Sequence, residues 1–459
     1  MYQINFNEPI HIYFIGIGGI SMSGLAEIVK KENFCISGSD MKESSLTTHL
    51  ESLGIKVYIG QRASNIAEDV DAVVYTAAIH KDNPEYVEAL RRNLPMLTRA
   101  EFLGQLMKNY KTPIAVSGTH GKTTTTSMLS HILLQAETDP TLSIGGILKA
   151  IDGNIRVGNS EYFLTEACEY TNSFLSFYPK IGIILNIDAD HLDFFKDLDD
   201  IRLSFKKFAA LLPEDGTLIL SGDIENISYF TKDLSCTVIT FGSDSTFDYS
   251  AKDITFDDLG HPSYTLLHKG KEISTISLSV TGLHNVYNSL STIACADVLG
   301  IDLDTVKKGL LSFSGTERRF EYKGTLGGVT VIDDYAHHPT EIAATLNAAK
   351  NYPHKHLWCV FQPHTYTRTK ALMDEFASTL AQAEHIILAE IYPARETDNL
   401  GISSETLAKK IEELGKKCYC FSSFDEIEDF LLENCSTGDL LITMGAGDVV
   451  NIGNHLLGI

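Results

Sequence analysis

The sequence predicts an α/β protein of three domains, each built on a parallel sheet. Three observations predict it. Short apolar runs alternate with helical patterns along nearly the whole chain, which is the rhythm of parallel strands joined by crossover helices. Two glycine-rich turns, at Gly16 and Gly118, each stand between such a run and a helical pattern. The chain has 459 residues, which at roughly 150 residues per domain corresponds to about three domains.

The apolar runs place the elements in order. In residues 1–111 they are His11–Ile15, Phe34–Ser37, Lys56–Ile59 and Ala72–Thr76. Residues 112–321 carry Ile114–Ser117, Tyr162–Thr165, Ile181–Asn186 and Thr217–Leu220. Between Cys236 and Val280 the pattern shifts to alternation, as in Tyr264–Leu267 and Ser274–Val280, around turn-like stretches at Leu259–Pro262 and His268–Lys271. This reads as a small β insertion. Helical patterns follow at His284–Leu299 and Asp304–Phe313. Residues 322–459 return to the first rhythm with Val329–Ile332, Leu357–Phe361, Ile386–Ile391, Cys418–Phe421 and Leu440–Met444, and with helical patterns at Thr340–Lys350 and Glu405–Leu414.

Composition narrows the function. Apolar residues make up 44% and charged residues 21%, the balance of a globular protein. Thirty-seven Lys and Arg against 60 Asp and Glu leave a net charge of −23, a surface that repels nucleic acid and anionic lipid. The eight cysteines include no CxxC pair, so they read as reduced core thiols and not as a disulfide or zinc framework. No run approaches the ~18 apolar residues of a membrane span, and Met1–Pro9 has no signal-peptide pattern. The expectation is a cytoplasmic protein without a nucleic-acid partner.

The first turn, Gly16-Ile17-Gly18-Gly19-Ile20-Ser21, follows a strand and fits the dinucleotide fingerprint except that Ser21 stands at its third glycine. Asp40 ends the next strand, 24 residues after Gly16, where such folds place a ribose-binding acid. The pattern alone leaves three readings open: NAD or FAD, another nucleotide diphosphate, or a structural turn.

The second turn is Gly118-Thr119-His120-Gly121-Lys122-Thr123-Thr124, a P-loop two residues shorter than GxxxxGK[ST]. Its logic survives the shortening. Glycines bare backbone N–H groups at a helix N-terminus for phosphate, Lys122 supplies a point charge, and the Thr123 hydroxyl suits Mg²⁺. Two strands nearby end in acids, at Glu166 with Glu169 and at Asp188-Ala189-Asp190-His191. Ligands gather at such strand ends. These groups read either as a metal shell, with Mn²⁺ favoured over Mg²⁺ where an imidazole joins, or as acids capping the next helix.

The P-loop run Gly118–Thr126, followed by Asn186 and by Asp190-His191-Leu192-Asp193, resembles the Mur ligase family, ATP-dependent amide ligases of peptidoglycan precursor synthesis. Further segments in family order extend the likeness from about Ile10 to Asp448. They are Gly16–Ala26, Leu97–Glu101, Gly282–Asn285, Gly315–Phe320, Asp333–Pro339 and Gln362–Thr369. All six are similar to the member that adds L-alanine to UDP-N-acetylmuramate.

The resemblance implies a Rossmann-like first domain (1–111) for the UDP-sugar, a central P-loop ATPase-like domain (112–321) and a Rossmann-like third domain (322–459) for the amino acid. Gly16, Gly18, Gly19 and Asp40 would meet the sugar nucleotide. ATP would lie on Gly118, Thr119, His120, Gly121, Lys122, Thr123 and Thr124, with His284, Asn285, Asn288 and Asp334. Thr123, Glu166 and His191 would hold Mg²⁺, or Mn²⁺ in its place. Tyr335, His337, His364, Arg368 and Arg395 would bind the amino acid and the sugar carboxylate. Lys122, Glu166, His191, Arg318, Arg319, His337, His338 and Arg368 form the catalytic set, and all three domains would close around the substrates. The family's acidic run after the first glutamate reads Cys168-Glu169-Tyr170 here, which leaves Cys168 without a role. Three rival functions remain: a sister ligase adding a recycled tripeptide to the same sugar, a non-catalytic nucleotide-binding regulator, and a dinucleotide oxidoreductase.

Overall fold

The computed structural model describes residues 2–192, 194–394 and 396–459, and every count below is of those residues. Three sheets follow one another along the chain. The first has five parallel strands, β1 (His11–Ile15), β2 (Cys35–Asp40), β3 (Lys56–Ile59), β4 (Ala72–Tyr75) and β5 (Met96–Thr98), in the order β3-β2-β1-β4-β5. The strand order reverses beside β1, and the Gly16 turn leaves the carboxyl end of that strand. This is the topological switch point at which open α/β sheets bind ligands.

The second sheet has ten strands. They are β6 (Thr112–Ser117), β7 (Thr141–Leu148), β8 (Gly153–Arg156), β9 (Tyr162–Ala167), β10 (Ile181–Ile184), β11 (Thr217–Ser221), β12 (Thr237–Gly242), β13 (Tyr249–Phe256), β14 (Pro262–His268) and β15 (Lys271–Ser277). The P-loop strand β6 lies in the middle, paired in parallel with β9 and β10. The expected β insertion is β13-β14-β15, an antiparallel meander that continues the same sheet through a short parallel pairing of β12 with β13. The third sheet runs β16-β17-β21-β18-β19-β20, from β16 (Glu321–Leu326), β17 (Val329–Asp334), β18 (Leu357–Phe361), β19 (His385–Leu388), β20 (Cys418–Cys420) and β21 (Leu440–Met444). Only β16 is antiparallel, as a hairpin partner of β17.

The central parallel strands of each sheet are buried on both faces, so they read as unbroken apolar runs instead of alternating ones. Every residue of β1, β10, β11, β18 and β21 is buried. All eight cysteines are free thiols, and among the described residues no helix is long and apolar enough to cross a membrane.

The cores divide unequally. One apolar cluster runs from the first sheet into the second, joining Phe14, Phe34 and Phe102 to Phe163, Phe174 and Phe205. The third sheet has clusters of its own, drawn from its own residues. Glycines make the first junction tight. A Cβ on Gly24 would lie 2.0 Å from Cγ1 of Ile155, and one on Gly104 would lie 1.8 Å from the carbonyl oxygen of Ser176. Asn154 adds a hydrogen bond from Nδ2 to the Ile20 carbonyl at 3.1 Å.

A methyl group at position 104 must displace backbone, and overpacking of this kind costs about 1–3 kcal/mol. Gly104→Ala should therefore unfold at a lower temperature than wild type in calorimetry. An unchanged transition would show that the helix Arg99–Met107 is not seated this closely.

Candidate active site

The nucleotide loop takes its shape from two glycines and one asparagine. Gly118 and Gly121 have φ of +144° and +82°, backbone that L side chains rarely adopt. Asn186 binds the loop from both sides, accepting from the His120 N–H at 2.8 Å and donating to the His120 carbonyl at 3.0 Å. The helix Lys122–Gln135 begins at Gly121 with no side-chain cap, so its first N–H groups are left for a ligand. The threonine hydroxyls do not serve as its N-cap. Thr125 and Thr126 are buried, and their Oγ1 atoms make no hydrogen bond.

Lys122 is held in place. Its Nζ donates to the carbonyls of Gly118 (2.5 Å) and Thr119 (3.0 Å) and to Glu169 (3.0 Å). Burial works against the ammonium, but Glu169 outweighs it and raises the pKa above the usual lysine value. Glu169 is 2% exposed. The sequence marked it only as an acid at a strand end. The Thr123 hydroxyl donates to Oε2 of Glu166 at 3.1 Å, while Oε1 of Glu166 accepts from the Gly145 N–H at 2.6 Å. Burial raises the Glu166 pKa. A hydroxyl and a buried carboxylate, both hard oxygen donors at a phosphate loop, fit Mg²⁺. The third expected ligand, His191, packs its ring on Tyr170 and lies 3.8 Å from Asp190.

A cavity of ≈ 630 Å³ opens beside the loop. Its wall includes His120, Gly121 and Thr124 from the loop, His284, Asn285 and Asn288 from the helix Leu283–Val298, Arg319 from the turn before β16, and Asp334 at the end of β17. His284 has its pKa lowered to about 4, by desolvation in the cavity wall first and by Arg319 second. Asp334 accepts from the N–H groups of Ala336 (2.7 Å) and Phe320 (2.8 Å), and burial raises it to about 6. The adjacent arginines part company. Arg318 spends its guanidinium on Asp333 (2.9 Å) and on the carbonyls of Gly445 and Gly447, bracing β17 against the loop after β21. Arg319 faces the cavity and lies 5.1 Å from the Tyr335 ring.

A second cavity, ≈ 280 Å³, lies between Tyr170, Asp190, His191 and Leu192 on one side and His364, Thr365, Arg368, Ala371 and Glu396 on the other. Arg368 spans it, with Nη2 3.0 Å from Oδ1 of Asp190 and Nη1 3.1 Å from Nδ1 of His364. Although burial opposes its charge, Arg368 and the neighbouring histidines hold the Asp190 carboxyl well below the usual range. Glu396, which carries no sequence motif, accepts from the Tyr366 and Thr367 N–H groups at the start of the helix Tyr366–Ala371 and so aims Arg368. His337 has its pKa lowered to about 4 by burial, and its Nδ1 lies 3.0 Å from the Tyr335 carbonyl and 3.2 Å from Glu341. Arg395 lies outside the described residues, as does Asp193.

The first-domain candidates stand apart from both cavities. Gly16, at φ +83°, and Ile17 both donate their N–H groups to the Ser39 carbonyl. The Gly18 N–H donates to Asp40 at 2.9 Å, and the Gly19 N–H to the Gly16 carbonyl. Asp40 thus braces the turn itself. Arg99 reaches the same turn, donating to the Ser21 hydroxyl at 3.0 Å.

Polar side chains join the second and third sheets. His120 lies 3.3 Å from Asp188 and 3.1 Å from Glu341. Thr340 donates to Asp188 at 2.7 Å, and Nε2 of His338 lies 3.1 Å from the Ala189 carbonyl. Burial opposes a charge on His120, but Asp188 and Glu341 raise its pKa from 6.5 to about 9. A folded-state pKa above the unfolded one gives stability that is complete below pH 6.5 and lost as pH rises through about 9. Wild type should therefore exceed His120→Asn in urea midpoint at pH 6, with the gap narrowing by pH 9.5. A gap independent of pH would exclude an imidazolium clasped by two carboxylates.

Comparison with known proteins agrees with this geometry. The chain matches the Mur ligase family catalytic domain over residues 11–111, the Mur ligase middle domain over 116–296 and the Mur ligase glutamate ligase domain over 318–447. It is 60% identical over 458 residues to a UDP-N-acetylmuramate–L-alanine ligase of Lachnospira eligens, covering 100% of both chains. Among solved structures it is similar to the UDP-N-acetylmuramate–alanine ligase of Thermotoga maritima, at 30% identity, 98% of each chain and a TM-score of 0.82. It is also similar to a murein peptide ligase of Psychrobacter arcticus, at 26% identity, 98% of each chain and a TM-score of 0.72. With three consecutive domain matches and a full-length relative at 60% identity, the chain belongs to the Mur ligase family.

Proposed function

We propose that this chain joins L-alanine to the lactyl carboxylate of UDP-N-acetylmuramate with hydrolysis of ATP, a step of peptidoglycan precursor synthesis. The full-length 60% identity with a ligase of that name carries the reading. The smaller cavity supports it. At ≈ 280 Å³ it falls below the usual range of drug-sized sites and suits a single small amino acid better than a tripeptide.

The reaction divides into two transfers. A carboxylate oxygen attacks the γ-phosphorus of ATP, the bond to the β–γ bridging oxygen breaks, and ADP leaves an acyl phosphate. The alanine amine then attacks the acyl carbon, its C–O bond to phosphate breaks, and the amine gives up a proton. Arg319 borders the larger cavity and Lys122 directly follows Gly121 of its wall; both stabilise charge on the transferring phosphoryl group. His284, Asn285 and Asn288 hold the nucleoside end. Thr123 and Glu166, with His191 from the neighbouring cavity, would hold Mg²⁺ or Mn²⁺, which would supply positive charge against the phosphates. Arg368, His364, Tyr335 and His337 orient the amino acid and the acceptor carboxylate, so positioning carries much of the rate. Residues 1–111 take the uridine diphosphate at the Gly16–Gly19 turn, 112–321 take ATP, and 322–459 take alanine. ATP as a substrate favours action in the cytoplasm.

Phosphate release in the presence of UDP-N-acetylmuramate, ATP and Mg²⁺ should require L-alanine. Release with an Ala-Glu-diamino-acid tripeptide but not with L-alanine would move the assignment to the tripeptide ligase. Lys122→Ala should lower turnover by about a hundredfold or more while still binding UDP-N-acetylmuramate in calorimetry. Near-normal turnover in that variant would remove Lys122 from the ATP site.

A further inference from the structure

The cavities described above use the carboxyl ends of the third-sheet strands. The opposite, amino ends of β18 and β19 carry a separate group. His356 immediately precedes β18, Glu384 immediately precedes β19, and His385 is the first residue of β19. One ligand atom from each of the three lies within 4.8 Å of the other two. Nδ1 of His356 is 3.2 Å from Oε2 of Glu384. Bonds of about 2.0–2.2 Å around a tetrahedral ion place ligand atoms roughly 3.3–3.6 Å apart, so this pair stands about 0.1 Å short of the required spacing. The Glu384 carboxylate is oriented by the Leu357 N–H, which donates to Oε2 at 3.3 Å, the kind of support that fixes metal ligands.

A second observation points to positive charge at the same place. Asp439 is 2% exposed, and its charge acts on both His356 and His385. Its Oδ2 accepts from Trp358 Nε1 (3.1 Å) and the Ser436 N–H (2.9 Å), but its Oδ1 is buried with no hydrogen-bond partner. An orphaned carboxylate oxygen is costly unless a cation offsets it. A His356–Glu384 surface ion pair alone would be worth little and would leave His385 and Asp439 unexplained.

We propose that His356, Glu384 and His385 form a site for a divalent transition-metal ion of the zinc or nickel class, at the end of the third domain away from the nucleotide. Two imidazoles and one carboxylate select such ions over Mg²⁺ and Ca²⁺. The bound ion ties the starts of two neighbouring strands together and faces the charge of Asp439.

The chain carries its own reporter. Trp358 is its single tryptophan, and the ring stacks on His385 at 3.9 Å between centroids and 14° between planes. Titration of the tag-free full chain with NiCl₂ should quench tryptophan fluorescence to saturation as one site. Excess ZnCl₂ should restore the signal and MgCl₂ should not. His356→Ala and Glu384→Gln, both at exposed side chains that leave the Trp358–His385 stack in place, should shift the midpoint upward by at least about tenfold. Linear, unsaturable quenching, or the same midpoint in both variants, would overturn the site. The readout is independent of ligase activity.

Discussion

A buried ammonium has to be paired, and much of the central domain is arranged around that requirement at Lys122. Its three N–H bonds go to two carbonyls of its own loop and to Glu169. The loop can offer those carbonyls only because Gly118 and Gly121 turn the backbone through positive φ. Glu169 can reach the lysine only because β9 runs beside β6 in parallel register, with Glu166 opposite Val116. An anionic phosphate entering the loop competes for the same donors. The lysine is thus preorganised and charged before any substrate arrives, and the cost of its burial is already offset.

The same logic extends across the boundary with the third sheet. His120, Asp188, Glu341, Asp190 and Arg368 form alternating charges over two cavities. The chain carries −23 overall yet is assigned two anionic nucleotides, so attraction has to be local. Lys122, Arg319, Arg368 and the uncapped helix N-terminus supply it at distances shorter than the Debye length, where the net charge matters little.

The sequence and the structure agree best where information is local. Runs such as Leu357–Phe361 and Leu440–Met444 mark strands paired on both sides, since such strands are apolar on both faces. The strands left unread are short, polar or glycine-containing. Met96–Thr98 has three residues, Gly153–Arg156 is half polar, Thr141–Leu148 contains two glycines, and Glu321–Leu326 is an edge hairpin strand. The site divides the same way. Gly118–Thr124 is legible because a strand, a turn and a helix start lie within one short stretch. Glu341 is not, because its partner His120 is 221 residues away. Glu396 gives no signal at all, since a carboxylate capping a helix from a distant loop resembles any other acid. Arg318 and Arg319 are neighbours of identical type, and only the backbone direction at positive φ for Arg318 decides which one meets the cavity.

The two seams of the molecule are of different material. Gly24 and Gly104 let the first domain lie against the second without clearance, over one continuous apolar core. The third domain meets the second through imidazoles, carboxylates and a threonine. Apolar surfaces packed at crystal density do not slide, whereas hydrogen-bonded polar groups exchange partners at little cost. The first seam is therefore the stiff one, and the seam with the third domain is the one whose contacts can be traded without opening an apolar core.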